Sequence, residues 1–174
     1  MDKIRITKVA KEVNTCKGFD ERTCYGTPCD DACCIGGCDI DKESHDLIIK
    51  HKGSIGKTLA ITPKKFFKGK WSGDPDYLGG NSVESNENKT GQCIFHLPKG
   101  KGCALYKLVT EKNLPRRVIP TICRIYPLNW NRGVLYFEKD LEKTCNCACN
   151  KSDKNILETQ KEEIEDIFEI SLQE

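Results

Sequence analysis

Apolar residues come in short bursts along this chain, separated by charged and glycine-rich stretches. Ile4, Ile6 and Val9 stand out of a polar lead over residues 1–15, which predicts one short strand there. "DIDKESHDLIIKHKG" sets acidic residues ahead of Leu47 and Ile48, an arrangement suited to a helix N-terminus, and Gly53 suits its end. Ile55 and Leu59 follow as further inward-facing positions. "ITPKKFF" supplies a second start, with Thr62 as N-cap and Pro63 at the first helical position. "GGNSVESNENKTGQ" is polar and glycine-rich and reads as an exposed loop. "CIFHL" alternates Cys93, Phe95 and Leu97 against Ile94 and His96, then meets Pro98 and glycines. That predicts a strand and a turn that folds Cys103 back toward Cys93. "ALYKLVTEKNL" predicts a short helix, and "NWNRGVLYF" a hairpin with Asn131, Arg132 and Gly133 in its turn. The tail spaces Ile156, Leu157, Ile164, Ile167 and Phe168 at near-helical intervals behind Ser152 or Asp153, predicting an amphipathic C-terminal helix over 152–172.

Together these elements predict a single α+β domain over 1–174, small and irregular, with short hairpins and few helices. Composition adds metal to that picture. Only 37% of residues are apolar even with the 12 cysteines counted, so the ordinary core is expected to be modest. Metal bound by ligands that converge only on folding contributes directly to folding energy. The opening MDKIRITKVAKEV is charged throughout and is not a secretory signal. No stretch approaches the ~18 apolar residues of a membrane span. A cytoplasmic location without a membrane partner is therefore expected. Thiols stay reduced there, and dense cysteines read as metal ligands or redox groups, whereas an even count in a secreted chain would suit disulfides. Lys plus Arg number 28 against 26 acidic residues, a balance that argues against nucleic acid as a partner.

The cysteines fall in groups. Cys16, Cys24, Cys29, Cys33, Cys34 and Cys38 come first; Cys93, Cys103 and Cys123 follow; Cys145, Cys147 and Cys149 form a C-x-C-x-C run. In "CDDACCIGGC" a straight helix would place Cys29 and Cys33 on one side and Cys34 and Cys38 well over 100° away. Gly36 and Gly37 make a break before Cys38. Adjacent cysteines point apart on regular backbone, so the doublet leaves three arrangements open: two neighbouring sites, a multinuclear cluster, or one ligand beside one packed thiol. Thiolates suit zinc, iron–sulfur clusters and cuprous ions. Paired C-x2-C knuckles are absent, as is C-x3-C-x2-C, and no G-x-G-x-x-G or P-loop appears. His96 falls on the strand face opposite Cys93, and His45 and His51 on a polar helix read as surface residues. Arg117 and Arg124 either screen a thiolate-rich site or pair with carboxylates, and Tyr106 and Tyr126 read as packing residues.

The run "CIFHL…GCALY…PTICRIYPL" resembles the zinc- or iron-chelating cysteine-cluster proteins of the YkgJ type. Their pattern is C-x-F-x-L, then C-x-x-Y, then P-x-x-C-R-x-Y/F-P. It is matched here by Cys93-Phe95-Leu97, Cys103-Tyr106 and Pro120-Cys123-Arg124-Tyr126-Pro127. An upstream cluster ending in a doublet is matched by Cys24, Cys29, Cys33 and Cys34. The upstream spacing C-x4-C-x3-CC is wider than the family's usual C-x2-C steps, and Cys38 and "CNCAC" are additions. The resemblance implies metal ligation by Cys24, Cys29, Cys33, Cys34, Cys93, Cys103, Cys123 and Cys147, with Cys38, Cys145 and Cys149 as further candidates. The metal it implies is iron, an iron–sulfur cluster or Zn2+. Flagellin lysine-N-methylase carries a similar cluster, so the resemblance leaves activity open. The expectation is a thiolate metal-binding protein with more than one metal ion per chain. The alternatives are a cluster-dependent protein-modifying oxidoreductase or methylase, acting on a protein substrate, and a zinc-stabilised interaction module with a protein partner.

Overall fold

The computed structural model describes residues 3–18, 31–137 and 152–172. Within them helices and small sheets alternate, an α+β arrangement. The lead contributes strands β1 (Ile4–Ile6) and β2 (Lys8–Val9). Strand β3 (Asp39–Asp41) runs into helix α1 (Lys42–Lys50), and helix α2 (Lys52–Leu59) follows. Strands β4 (Phe67–Lys68) and β5 (Ser82–Ser85) precede helices α3 (Ala104–Lys112) and α4 (Thr121–Ile125). Hairpin strands β6 (Leu128–Asn131) and β7 (Val134–Phe137) come next. Helices α5 (Ile156–Thr159) and α6 (Lys161–Ile167) and strand β8 (Phe168–Ile170) close the chain. Among the described residues the sheets are β1-β8, β2-β7-β6 and β3-β5-β4.

Helix α1 starts because Asp41 caps it, its Oδ1 accepting from the Ser44 amide at 2.9 Å. The expected stop at Gly53 does not occur. After a kink at His51, α2 carries the helix through Gly53 and ends at Ala60, whose φ of 55° is left-handed. Ile48, Ile55 and Leu59 lie on one buried face. Burying them outweighs the ~1 kcal/mol cost of one helical glycine. The start at Thr62 is also short-lived: Pro63–Lys65 make one 3-10 turn with no side-chain cap, before Phe66 turns into the core.

The largest departure is "GGNSVESNENKTGQ". Its Ser82–Ser85 segment is the central strand of β3-β5-β4, with Ser82, Val83 and Ser85 buried. Polar composition suggested solvent. Instead each buried serine is hydrogen-bonded: Ser82 Oγ lies 2.9 Å from Ser72 Oγ, and Ser85 Oγ accepts from the Cys38 amide at 2.9 Å. Residues 93–97 keep the expected alternation, with Cys93, Phe95 and Leu97 inward. They join only isolated bridges, Glu87 with Cys93 and His96 with Cys103. The fold-back occurs as expected, with Leu97 N donating to Gly102 O at 3.0 Å and Ala104 N to Phe95 O at 2.8 Å.

The β6-β7 hairpin turns through Arg132 (φ 47°) and Gly133 (φ 76°), both left-handed, as a two-residue hairpin of matching twist requires. The tail is not one helix over 152–172. Asn155, rather than Ser152 or Asp153, caps α5 by accepting from the Leu157 amide at 2.8 Å. The helix then breaks at Gln160, and Phe168–Ile170 leave it as β8. Strand β8 pairs parallel with β1, Ile4 opposite Phe168 and Ile6 opposite Ile170.

Apolar side chains collect in two clusters. One gathers Ile4, Ile6 and Val13 from the lead with Trp130, Leu135, Ile156, Ile167 and Phe168. The other joins Ile40, Ile48, Ile55, Phe66, Phe95, Leu105 and Ile119. Fully burying each such side chain is worth about 1.5–3 kcal/mol, so the polar lead carries part of the core. Between the clusters Arg117 pairs with Glu43 and Asp166 at 2.7 and 2.6 Å, Arg116 with Glu163 at 2.5 Å, and Arg124 with Glu163 at 2.5 Å and also with Asp166. No helix among the described residues is long and apolar enough to cross a membrane.

Candidate metal centre

The segment 31–38 is sewn to the segment 85–93. Cys93 N donates to Cys34 O at 2.6 Å, Gly36 N to Gly91 O at 2.9 Å, and Ser85 N to Cys38 O at 2.8 Å. Gly36 and Gly37 both have φ near +78°, which makes the break before Cys38 and aims that residue inward. Gly37 has a second constraint: a Cβ there would lie 2.6 Å from Ser85 Oγ. Cys103 stands at the N-cap position of α3. Cys123 sits in α4, its amide donating to Pro120 O at 2.9 Å and its carbonyl accepting from Tyr106 Oη at 2.9 Å. Tyr106, expected only to pack, thus also fixes the backbone of a candidate ligand.

These placements bring together Cys33, Cys34, Cys38, Cys93, Cys103 and Cys123. The sulfurs of Cys38 and Cys123 are 3.7 Å apart. Those of Cys33 and Cys34 are 3.9 Å apart. The doublet therefore converges instead of pointing apart. It lies in a one-turn 3-10 segment, Ala32–Cys34, too short and irregular to spread successive side chains. Cys93 Sγ donates to Ser85 Oγ at 3.5 Å, so one serine holds the backbone of Cys38 and the thiol of Cys93.

Crowding and burial disfavour thiolates here. For Cys34 the hydrogen bond with Cys33 raises the pKa most, followed by burial and the charges of Cys33, Cys103 and Cys123. For Cys93 the hydrogen bond with Cys38 leads, followed by burial and the charge of Cys38. Cys38 also lies well above the usual thiol range: its hydrogen bond with Cys123 raises it, one with Cys93 lowers it, and burial raises it again. Burial and the charge of Cys93 push Cys103 up to about 12, although the Tyr106 and Leu105 amides hold it down in part. The Cys38 hydrogen bond lowers Cys123, but burial and the neighbouring cysteines push it up to about 11. A bound cation inverts this balance, because it favours the deprotonated ligand.

Two pairs of these thiols have the soft-donor chemistry and the spacing of neighbouring ligands at a thiolate metal site. A Zn–S bond of about 2.3 Å implies a tetrahedral S···S edge of about 3.8 Å. The Cys38–Cys123 and Cys33–Cys34 separations of 3.7 and 3.9 Å bracket that edge. Among the described residues no three or more His, Cys, Asp or Glu side chains form a group that could hold a metal ion. The described cysteines form no disulfides. Cys24, Cys29, Cys145, Cys147 and Cys149 lie outside the described residues.

Other expected residues have different surroundings. Cys16, although its sequence neighbours are polar, is buried in the apolar cluster with Val13 and Ile156, whereas Cys34, Cys38, Cys93, Cys103 and Cys123 belong to or pack against the other cluster. Arg117 and Arg124 pair with carboxylates. His96 Nε2 lies 3.0 Å from Asp31 Oδ2, and Asp31 Oδ1 accepts from Gly102 N at 2.9 Å, bracing the turn before Cys103. His45 is half-buried against the rings of Phe67 and Trp71, with centroids 4.5 and 4.8 Å away. Ser85 and Asp31 had no signal in the sequence, because each acts through a fold-back of distant segments. No protein-family model matches the chain, and neither a curated protein nor a solved structure matches it.

Proposed function

We propose that this protein binds iron, as ions or an iron–sulfur cluster, or zinc through cysteine thiolates in a clustered centre. The observation that carries the reading is the meeting of Cys38 and Cys123 at 3.7 Å beside Cys33 and Cys34 at 3.9 Å, spacings of a metal–thiolate tetrahedron. The motif resemblance supports it independently, since Cys93, Cys103 and Cys123 were selected by sequence and are neighbours in space. In this reading Cys24, Cys29 and one or more of Cys145, Cys147 and Cys149 complete the ligand set, and the chain holds more than one metal ion. A reducing compartment such as the cytoplasm keeps those thiols available.

Anaerobic purification followed by elemental analysis and an absorption spectrum tests the proposal. Iron with visible sulfur-to-iron absorption, or colourless protein with zinc, supports it and identifies the metal. Metal-free protein whose cysteines are paired in disulfides overturns it.

A further inference from the structure

The Cys123 thiol donates to the Cys38 sulfur at 3.7 Å, and the sulfurs of Cys33 and Cys34 meet at 3.9 Å. The two contacts differ in what they can become. A disulfide needs Cα atoms about 4.4–6.8 Å apart. A trans peptide holds adjacent Cα atoms at about 3.8 Å, so Cys33 and Cys34 fall short of that window. Cys38 and Cys123 belong to separate segments, the lead into β3 and helix α4, and no peptide fixes their separation. A movement of about 1.7 Å takes their sulfurs from contact at 3.7 Å to bonding distance. Both backbones are held, Cys38 by Ser85 and Cys123 by Pro120 and Tyr106, so side-chain rotation supplies the movement. The pair is also within reach of solvent. Cys38 and Cys123 line a cleft of about 300 Å³ together with Cys33. Cys93 is hydrogen-bonded to Cys38 as well, but its own thiol is turned to Ser85 and lies off the cleft wall. Burial disfavours thiolates at Cys38 and Cys123 but not a disulfide, which carries no charge.

We propose that Cys38 and Cys123 are an oxidation site, converted to a reversible intramolecular disulfide by a small disulfide that reaches them through the cleft. One cysteine attacks the small disulfide as its thiolate and expels half of it, which leaves as a thiol with the proton. The second cysteine attacks the mixed disulfide and expels the other half in the same way. Two protein S–H bonds and one small-molecule S–S bond become one protein S–S bond and two small-molecule S–H bonds. The cysteines are oxidised by two electrons and the small disulfide is reduced by two. Sulfurs bonded to each other no longer serve as thiolate ligands, so metal and disulfide exclude one another at this pair. That exclusion rests on the thiolate–metal reading above, whereas the disulfide itself stands on the placement of the two sulfurs.

Glutathione supplies the probe. The full chain, purified anaerobically, is equilibrated in buffers of stepped reduced-to-oxidised glutathione ratio; free thiols are then alkylated and disulfides mapped by mass spectrometry. Cys38–Cys123 is expected to be the first intramolecular bond formed as oxidised glutathione rises, and to be lost when reduced glutathione is restored. Cys38 and Cys123 both alkylated across the series, either one bonded first to a different cysteine, or a bond that reduced glutathione does not reverse would each overturn the proposal. Metal in the ultrafiltrate of the same samples reads the exclusion. Release in step with the Cys38–Cys123 bond supports it, and the bond formed with all metal retained overturns the exclusion alone. Protein that holds no iron or zinc before glutathione is added overturns the metal reading, and the mapping still decides the disulfide.

Discussion

Cys38 and Cys123 lie 85 positions apart in the chain, yet their sulfurs are 3.7 Å from each other. Their meeting requires both the break at Gly36-Gly37 and the short helix after Pro120. It brings the start of β3 to α4 against the apolar cluster of Ile40, Phe95 and Ile119. In the proposed reading, a metal at this point would join these two segments directly.

Cys38→Ser and Cys123→Ser are expected to lower bound metal, since serine nearly preserves size but is a poor ligand for a soft ion. Cys16→Ser should keep the metal and still melt at a lower temperature, because it places a hydroxyl in an apolar cluster. A cost of about 1–3 kcal/mol is expected. Metal analysis and thermal melts on the single variants separate the two effects. Loss of metal in Cys16→Ser with full metal in Cys123→Ser would reverse the assignment.

Ser85 supports two candidate ligands at once. Ser85→Ala leaves the partly buried Cys38 amide without its 2.9 Å acceptor, at a cost of about 1 kcal/mol or more. Metal affinity should fall about 10- to 100-fold, as when a group that orients a ligand is lost. Gly37→Ala is expected to be at least as damaging, because its φ of 78° is strained for alanine and its Cβ would collide with Ser85. Competition titration with a chromogenic chelator measures both affinities.

Arg124 is buried and shares Glu163 and Asp166 with Arg116 and Arg117. Arg124→Met should destabilise the protein by about 3–5 kcal/mol, since it leaves buried Glu163 short of a cation. Adding Glu163→Gln to Arg124→Met should recover part of that loss. Urea melts of the single and double variants make the comparison, and a double variant no more stable than Arg124→Met would show that packing, not charge, sets the cost.

Asp166 predicts an acid dependence. Burial raises its pKa, but hydrogen bonds from Arg117 and Arg124 and their charges outweigh burial and hold the carboxyl below the usual range. A group depressed in the folded state contributes stability that is full above its unfolded pKa of about 3.9 and is lost as pH falls through the lower folded value. In metal-free protein, Asp166→Asn should therefore flatten the stability profile below about pH 4 relative to the parent. Parallel profiles for the two proteins in that range would rule the contribution out.

Local pattern made much of this legible. The β6-β7 turn, helix α3 and the fold-back at Cys103 follow from glycine placement and apolar spacing near in sequence. The selection of Cys93, Cys103 and Cys123 came from a motif, and they are neighbours in space. Strand β5 was hidden because its inward positions are serines, satisfied by Ser72 and Cys38 from elsewhere in the chain. The tail was misread as one helix because Phe168 and Ile170 have helical and strand readings alike, and pairing with Ile4 and Ile6 decides between them. The burial of Cys16 has no signal in its charged sequence neighbours, because it comes from the packing of Val13 and Ile156 around it.

The β1-β8 pairing has a bearing on biosynthesis. Ile4 can find Phe168 only after the residues between them have been made, and β1 has no other strand beside it among the described residues. Until then the lead presents an open edge and unburied Ile4 and Ile6, features that invite mispairing between nascent chains. Lys3, Arg5 and Lys8, interleaved with those isoleucines, are the charges that oppose such aggregation.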